Sequence, residues 1–352
     1  MPSSRADEMQ IKAVDRSLRR AGISPARRSP RGRREELPEN GKGGSRVEIR
    51  PQAQKRVAKS RVEIVRVAEW SALPWLVHGF STRTGGATTA YRPGQRAGEL
   101  NLGFTASDDR ENVEENRRRF LEALGVPDMR MVTLRQIHSS SVLQVDAENL
   151  DQPSSAEAES PCKGDGLITA EKGILLAIQT ADCIPVLVAD TKKKVVAAFH
   201  AGWRGTVKRI AENGVGKMRV AFGCRPQDLV AAIGPGIAAC CYAVGEEVRS
   251  EFVSQFSYAD ALFHEVANSD PVKTKYPMLF LNQRAPGHGN VGPALHLDLM
   301  EANRRQLLDA GLRAEGIELV GDCTSCRNNR YFSYRAEHGF TGRMMSVIGI
   351  RR

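Results

Sequence analysis

The sequence predicts an α+β fold preceded by a basic N-terminal extension. After about residue 61, strand-like apolar runs and amphipathic helices follow one another irregularly. A doubly wound parallel sheet would instead demand regular strand–helix–strand repetition. Residues 1–61 are rich in Arg, Ser, Pro and Gly and lack aromatics. Such a segment buries too little apolar area to offset chain entropy, so it is expected to be disordered. The expected organisation is therefore an extension over 1–61 and one folded body over 62–352.

Charge divides the chain at the same place. Of 51 Lys/Arg and 41 Asp/Glu, residues 1–61 hold 17 and 7, which leaves 34 of each beyond them. The body is neutral, so the overall +10 is no argument that the folded part binds nucleic acid. The tail reads as a solvated extension or an over-long start, with a weak tether to RNA or an anionic surface as the alternative. Within it Ser45-Arg-Val-Glu-Ile49 is echoed by Ser60-Arg-Val-Glu-Ile64. No run of about 18 or more apolar residues occurs, so no transmembrane helix and no membrane partner are expected. The N-terminal charges lead into no apolar segment, which argues against a secretory signal. Seven cysteines in no disulfide-like array point to a reducing cytoplasm.

In chain order, Trp75–Phe80 reads as a strand, followed by the Gly-rich turn Ser81–Gly86. A helix is expected over Asp108–Leu124. Ser107 would cap it, Val113, Phe120, Leu121 and Leu124 would share a face, and Gly125 with Pro127 would end it. Short β-like runs follow at Val132–Leu134, Val142–Val145 and Leu167–Thr169. The apolar runs Ile174–Ile178, Ile184–Val188 and Val195–Phe199 read as a buried sheet. A helix over Thr206–Phe222 is expected to be weakened at Gly214 and ended at Gly223. Next come a β-turn unit at Ala231–Gly236, helices near Gly245–Phe256 and Asp298–Ala310, and a strand at Met345–Ile350. No glycine-rich dinucleotide fingerprint and no P-loop occurs.

Three residues at the ends of these elements carry candidate chemistry. Cys183 in Thr180-Ala-Asp-Cys183 enters a strand, His200 leaves one at His200-Ala-Gly-Trp-Arg-Gly205, and His138 lies upstream in Arg135-Gln-Ile-His138. The 17-residue gap between Cys183 and His200 suits neighbouring strands joined by a hairpin at Asp190–Lys194. Two imidazoles and a thiolate make a zinc site with one open position, the layout of a catalytic rather than a structural metal. The same Cys and His also fit a nucleophile and its base.

The surrounding text resembles a known family. His78-Gly-Phe-Ser-Thr-Arg-Thr-Gly-Gly86, Asn101-Leu-Gly103, Gly164-Asp-Gly-Leu-Ile-Thr169, Thr180-Ala-Asp-Cys-Ile-Pro185, Ile233-Gly-Pro-Gly-Ile237, Cys323-Thr324, Phe332-Ser-Tyr-Arg335 and Thr341-Gly-Arg343 occur in order with the His138 and His200 blocks. Together they resemble the YfiH-type laccase-domain proteins over roughly residues 62–352. The resemblance implies a layered α/β/β/α sandwich of mixed sheets and Zn2+ held by His138, Cys183 and His200. It further implies phosphorolysis of adenosine, inosine, guanosine or methylthioadenosine, with adenosine deamination as a second reaction. The implied partners are purine nucleosides and inorganic phosphate, and the expected state is a monomer or homodimer. Departures from the family pattern are a long Asp146–Cys162 segment, an inserted-looking Pro271–Gly292, Gly166 after Asp165, and Ala243 in Cys240-Cys-Tyr-Ala-Val-Gly245.

Around the three ligands, Arg83 and Arg204 are expected to contact phosphate and Gln136 the substrate, because a guanidinium fork suits phosphate oxygens. Gly85-Gly86 would let backbone N–H groups approach an anion. Asp182 and Asp165 are candidates to orient a ligand histidine, accept a proton or cap a turn, and Asp182 is also expected to contact substrate. His78 is either pocket-lining or packing, and Trp203 is packing with base stacking as the alternative. His264, His288, His296 and His338 read as solvated. Cys323-Thr-Ser-Cys326 is half a metal site, and Cys240-Cys241 reads as core or pocket wall. Copper could also bind a His2Cys set, giving a phenol oxidase. Seven histidines with no His-x-His pair cannot build a multicopper cluster. A Cys183–His200 thiol hydrolase and a non-enzymatic docking module complete the alternatives.

Overall fold

A strand that buries both faces needs a packed layer on each side, and its sequence then runs apolar without alternation. The computed structural model describes residues 61–92, 94, 98–146, 162–266 and 294–352. The expectations for residues 1–60, for most of 146–162, for 271–292 and for His288 lie outside them. The first half comprises β1 (Ile64–Val65), β2 (Leu76–Ser81), β3 (Thr84–Thr88), α1 (Arg110–Leu124), β4 (Arg130–Val132), β5 (Val142–Gln144), β6 (Gly166–Thr169) and β7 (Ile174–Thr180). The chain continues through β8 (Ile184–Asp190), β9 (Val196–Ala201), α2 (Trp203–Val207), α3 (Ile210–Phe222) and β10 (Leu229–Ile233). It ends with β11 (Ala243–Val244), α4 (Glu246–Gln255), β12 (Phe263–Val266), β13 (Ala294–Leu297), α5 (Leu299–Asp309), β14 (Ile317–Leu319) and β15 (Met344–Ile350).

Two mixed sheets form the centre. One has the order β1-β2-β15-β7-β4 and the other β14-β10-β8-β9-β6-β5, while β11-β13-β12 make a small third sheet. The side-chain period of two sorts each central strand between two cores. From β7, Ile174, Leu176 and Ile178 meet Leu187, Ala189, Val196 and Ala198 of the other sheet. The alternate residues Leu175 and Ala177 pack with Phe120 and Leu124 of α1. From β8 and β9, Val186, Val188 and Phe199 pack with Ile210, Val215 and Met218 of α3 and with Leu307 of α5. The result is helix, sheet, sheet, helix, as expected. Each fully buried Leu, Ile or Val contributes about 1.5–3 kcal/mol, so these three apolar layers hold the molecule together.

The helix expected over Thr206–Phe222 is two helices. The chain breaks at Arg209, whose φ of 61° is left-handed. Helix α3 runs unbroken through Gly214; a Cβ there would stand 2.2 Å from the Phe199 ring, so the glycine lets the helix lie close on the sheet. Gly223, also left-handed, ends α3 as expected. Asp109 rather than Ser107 precedes α1, and the neighbouring Asp108 carboxylate accepts from Thr88 and Asn101 instead. Part of the expected turn Ser81–Gly86 is the strand β3.

Candidate active site and metal centre

The three candidate ligands converge where the two central sheets are stitched together. β7 belongs to one sheet and β8 to the other, so Ala181–Cys183 is the crossover between layers. Asp182 takes a left-handed φ of 92° there, and His138 takes 58° in the loop between β4 and β5. Such backbone conformations cost about 1–3 kcal/mol in non-glycine residues and persist where the surroundings over-determine them. His200 lies in β9, with Pro185 of β8 as its antiparallel partner, so the expected hairpin does bring the strand ends side by side. Gly202 closes the cradle; a Cβ there would stand 2.8 Å from the His138 ring and 3.0 Å from Cys183 Sγ.

Asp165 fixes this arrangement. Its carboxylate accepts from the backbone N–H groups of Ile137, His138 and Ser139, from the Ser139 hydroxyl, and from His200 Nδ1 at 2.8 Å. The His200 N–H donates to the Asp165 carbonyl at 2.7 Å. One fully buried side chain therefore shapes the His138 loop and orients the His200 ring. Burial pushes the Asp165 carboxyl up, but hydrogen bonds from His200 and Ser139 outweigh it and hold it at about 2. Burial also raises the Cys183 thiol, yet the neighbouring His200 and His138 imidazoles bring it down to about 6. Burial lowers His200, and Cys183 with Asp165 more than reverse this, to about 9. The thiolate form of Cys183 and the protonated form of His200 therefore favour one another.

The donor set fits a metal ion. The ligand atoms of His138, Cys183 and His200 all lie within 4.8 Å of one another, with Cys183 Sγ 3.8 Å from His138 Nε2. Ligands at zinc distances of about 2.0–2.3 Å in a tetrahedron stand roughly 3.5 Å apart. The Asp165 contact to His200 Nδ1 leaves Nε2 for a metal, the carboxylate–histidine pairing typical of zinc ligands.

Over the three ligands opens a cavity of about 810 Å³. Among the described residues five arginines line it, Arg117, Arg135, Arg204, Arg335 and Arg343, together with Phe104, Trp203, Tyr242 and Tyr334. Gln136, Asp182 and Arg204 also line it. Gln136 is held across β7 by a pair of hydrogen bonds with the Gln179 backbone, and Arg204 stacks on Trp203 at 4.3 Å. The Asp182 carboxylate accepts from the Thr324 hydroxyl and the Arg335 N–H, both at 2.6 Å, so it braces the cavity wall.

The structure does not bring Arg83 to this cavity. Its guanidinium is fully buried among Glu99, Glu337 and the carbonyls of Asn328 and Tyr331, over the Phe332 ring. The two acids capture it, and in the neighbouring strand β3 the Gly86 N–H donates to the Gly98 carbonyl rather than facing an anion. His78 is packing: buried against Trp70, its Nε2 accepts from the Val67 N–H. Burial, with Arg66 nearby, lowers it to about 4. His296 is buried beside the Ala239 carbonyl rather than solvated, whereas His264 and His338 are exposed as expected. Arg117, Arg343 and Tyr242 were not singled out in sequence. Arg343 lies in the Thr341-Gly-Arg343 block and Tyr242 after Cys240-Cys241, but neither block says which way its side chain faces.

Comparison with known proteins places the chain in a family. Residues 77–351 match the family described as multi-copper polyphenol oxidoreductase laccase. The chain belongs to this family. It is 34% identical over 291 residues to the purine nucleoside phosphorylase YlmD of Geobacillus stearothermophilus, covering 81% of this chain and 97% of that one. It is 37% identical over 279 residues to a purine nucleoside phosphorylase of Deinococcus radiodurans, covering 78% and 89%. The adenosine deaminase RL5 of an unknown prokaryotic organism is 33% identical over 250 residues, covering 71% and 86%. Among solved structures, the hypothetical protein YfiH of Bacillus licheniformis superimposes with a TM-score of 0.68 at 30% identity, over 84% of this chain and 98% of that one. This family is one of enzymes, and its α+β architecture is the one described above. Among the described residues no helix is long and apolar enough to cross a membrane.

Proposed function

We propose that residues 62–352 form a zinc-dependent purine nucleoside phosphorylase that also deaminates adenosine. The observation that carries this reading is a cavity lined by arginines and aromatics lying directly over two histidines and a cysteine held at metal-ligand spacing. His138, Cys183 and His200 would hold the zinc, and a zinc so held supplies Lewis-acid polarisation at its open position. A thiolate already formed at about 6 suits metal binding at neutral pH. Copper is the weaker choice: among the described residues lining the cavity there is no methionine to serve as the usual axial ligand.

In phosphorolysis a phosphate oxygen bonds to C1′ of the ribose as the C1′–N9 bond breaks. The bonding pair leaves with the purine, which takes up a proton. The cationic wall, with Arg204 foremost, concentrates and orients phosphate. Tyr242, Trp203 and Phe104 offer apolar faces for the purine, and Gln136 a fixed amide edge. Asp165 is a positioning residue, keeping the His200 Nδ1 proton in place. Adenosine, inosine, guanosine and methylthioadenosine share the purine and the C1′ chemistry and are the proposed substrates.

The test is adenosine turnover followed by chromatography, with and without phosphate. Phosphate-dependent adenine release that disappears in Cys183→Ala supports phosphorolysis, and inosine formed without phosphate supports deamination. A second reading rests on the same thiolate–imidazolium pair with Asp165 behind it, which is also the geometry of a cysteine hydrolase. Metal-free protein, rapid alkylation of Cys183 and no purine turnover would favour that hydrolase.

A further inference from the structure

The sequence carries two unremarkable cysteine pairs, adjacent Cys240-Cys241 and the CxxC of Cys323 and Cys326. Each is half a site. The fold joins them: the Gly236 backbone bridges Cys323 in parallel, and the Thr324 N–H donates to the Gly236 carbonyl at 3.0 Å. All four Sγ atoms lie within 4.8 Å of one another. Cys326 Sγ is 3.3 Å from Cys241 and 3.5 Å from Cys240. These separations exceed a disulfide bond of about 2.05 Å. They approach the roughly 3.8 Å between sulfurs sharing one tetrahedral zinc at about 2.3 Å.

We propose that Cys240, Cys241, Cys323 and Cys326 form a second metal site, a closed four-thiolate zinc centre separate from the His138–Cys183–His200 set. Four soft sulfur donors in a tetrahedral arrangement select zinc or iron over the harder divalent ions. Without a cation, four thiols facing one another make only weak S–H contacts, and any thiolates among them repel. The backbone assists, since the Ala238 N–H donates to Cys323 Sγ at 3.5 Å. Cys240 and Cys326 are exposed, so an ion can enter from solvent.

The placement gives the ion a task. One cysteine pair follows Ile237 and precedes Tyr242, both in the wall of the catalytic cavity. The other flanks Thr324, whose hydroxyl bonds Asp182, the residue before Cys183. A metal here would staple the two loops that brace the Cys183 crossover. The site stands on these contacts whether or not phosphorolysis is the reaction.

The experiment uses the full chain, expressed with zinc and purified without oxygen or chelator. Zinc per chain is measured by plasma mass spectrometry for the wild type, Cys326→Ser, Cys183→Ala and the double variant. The expected contents are about two, about one, about one and close to none, because each centre binds one ion. A wild type with about one zinc that vanishes in Cys183→Ala overturns the proposal, as does Cys326→Ser with wild-type content. A Cys241–Cys326 or Cys240–Cys326 disulfide in the anaerobic wild type also overturns it. Should Cys326→Ser fail to fold, cobalt(II) replacement in Cys183→Ala decides the matter. That variant has lost the catalytic thiolate, so strong thiolate-to-cobalt charge transfer with tetrahedral ligand-field bands supports the four-sulfur centre, and their absence overturns it.

Discussion

Two clusters of metal-ligand type, linked through the Thr324–Asp182 hydrogen bond, are built on opposite plans. The first has two nitrogens and one sulfur, oriented by the buried carboxylate of Asp165 and roofed by a cationic cavity. The second is sulfur alone, half exposed, and joins two loops. An open coordination position beneath a binding cavity serves a substrate, whereas a saturated tetrahedron serves the backbone that carries it. Proximity of ligand atoms therefore says little about role; the supporting residues and the space above the site decide it.

Breaking the first cluster alone should have the largest effect. Cys183→Ala is expected to lower phosphorolysis at least about a thousandfold, since several kcal/mol of charge stabilisation go with the metal. The variant should still retain the zinc of the cysteine tetrad, and adenine release together with zinc content checks both halves. If turnover persisted, the distinction between the two clusters would collapse. Arg83→Met is next, at about 3–5 kcal/mol of stability in denaturant unfolding, because it strands buried Glu99 and takes a partner from the partly buried Glu337. Its KM for phosphate should stay unchanged, which separates a buried arginine from those lining the cavity.

Asp165→Asn should weaken zinc binding about 10–100-fold in competition with a chelator, through lost orientation of His200. The tetrad should be indifferent to that change. The pH response sharpens the contrast in metal-free protein. The folded Cys183 pKa of about 6 lies below its ordinary value, so its stabilisation is lost as pH falls through about 6. The folded His200 pKa of about 9 lies above its ordinary value, so its contribution is lost as pH rises through about 9. Alkylation of Cys183 followed by peptide mass spectrometry should titrate near the lower value, while partial desolvation of its sulfur and the neighbouring Cys326, Cys323 and Cys241 hold Cys240 above the usual thiol range. The smallest effect is Arg204→Ala, expected to raise the KM for phosphate about tenfold, the loss of one charge-assisted hydrogen bond, with kcat nearly kept.

The candidate metal ligands were legible because they sit in local text with its own structural logic. His200 follows a five-residue apolar run, Cys183 precedes another, and a short polar hairpin between them places strand ends together. Asp165 was visible as a candidate but not as the hub, since its partners come from two separate loops. Arg83 misled for the opposite reason. Its glycine-rich surroundings suggest an anion cradle, yet Glu337 from the far end of the chain claims the guanidinium. The CxxC read as half a site because its other half lies 85 positions away.

By itself the sequence determined the class of fold, the family, the apolar strands and the three residues able to hold a metal. These follow from local periodicity, turn chemistry and contiguous blocks of text. The tertiary structure alone decided which sheet each strand joined, which arginines faced the cavity and which were buried, and that two cysteine pairs meet. Apolar strands buried on both faces have no alternation to reveal their layer. Contacts between distant segments depend on how whole sheets stack, which no window of sequence contains.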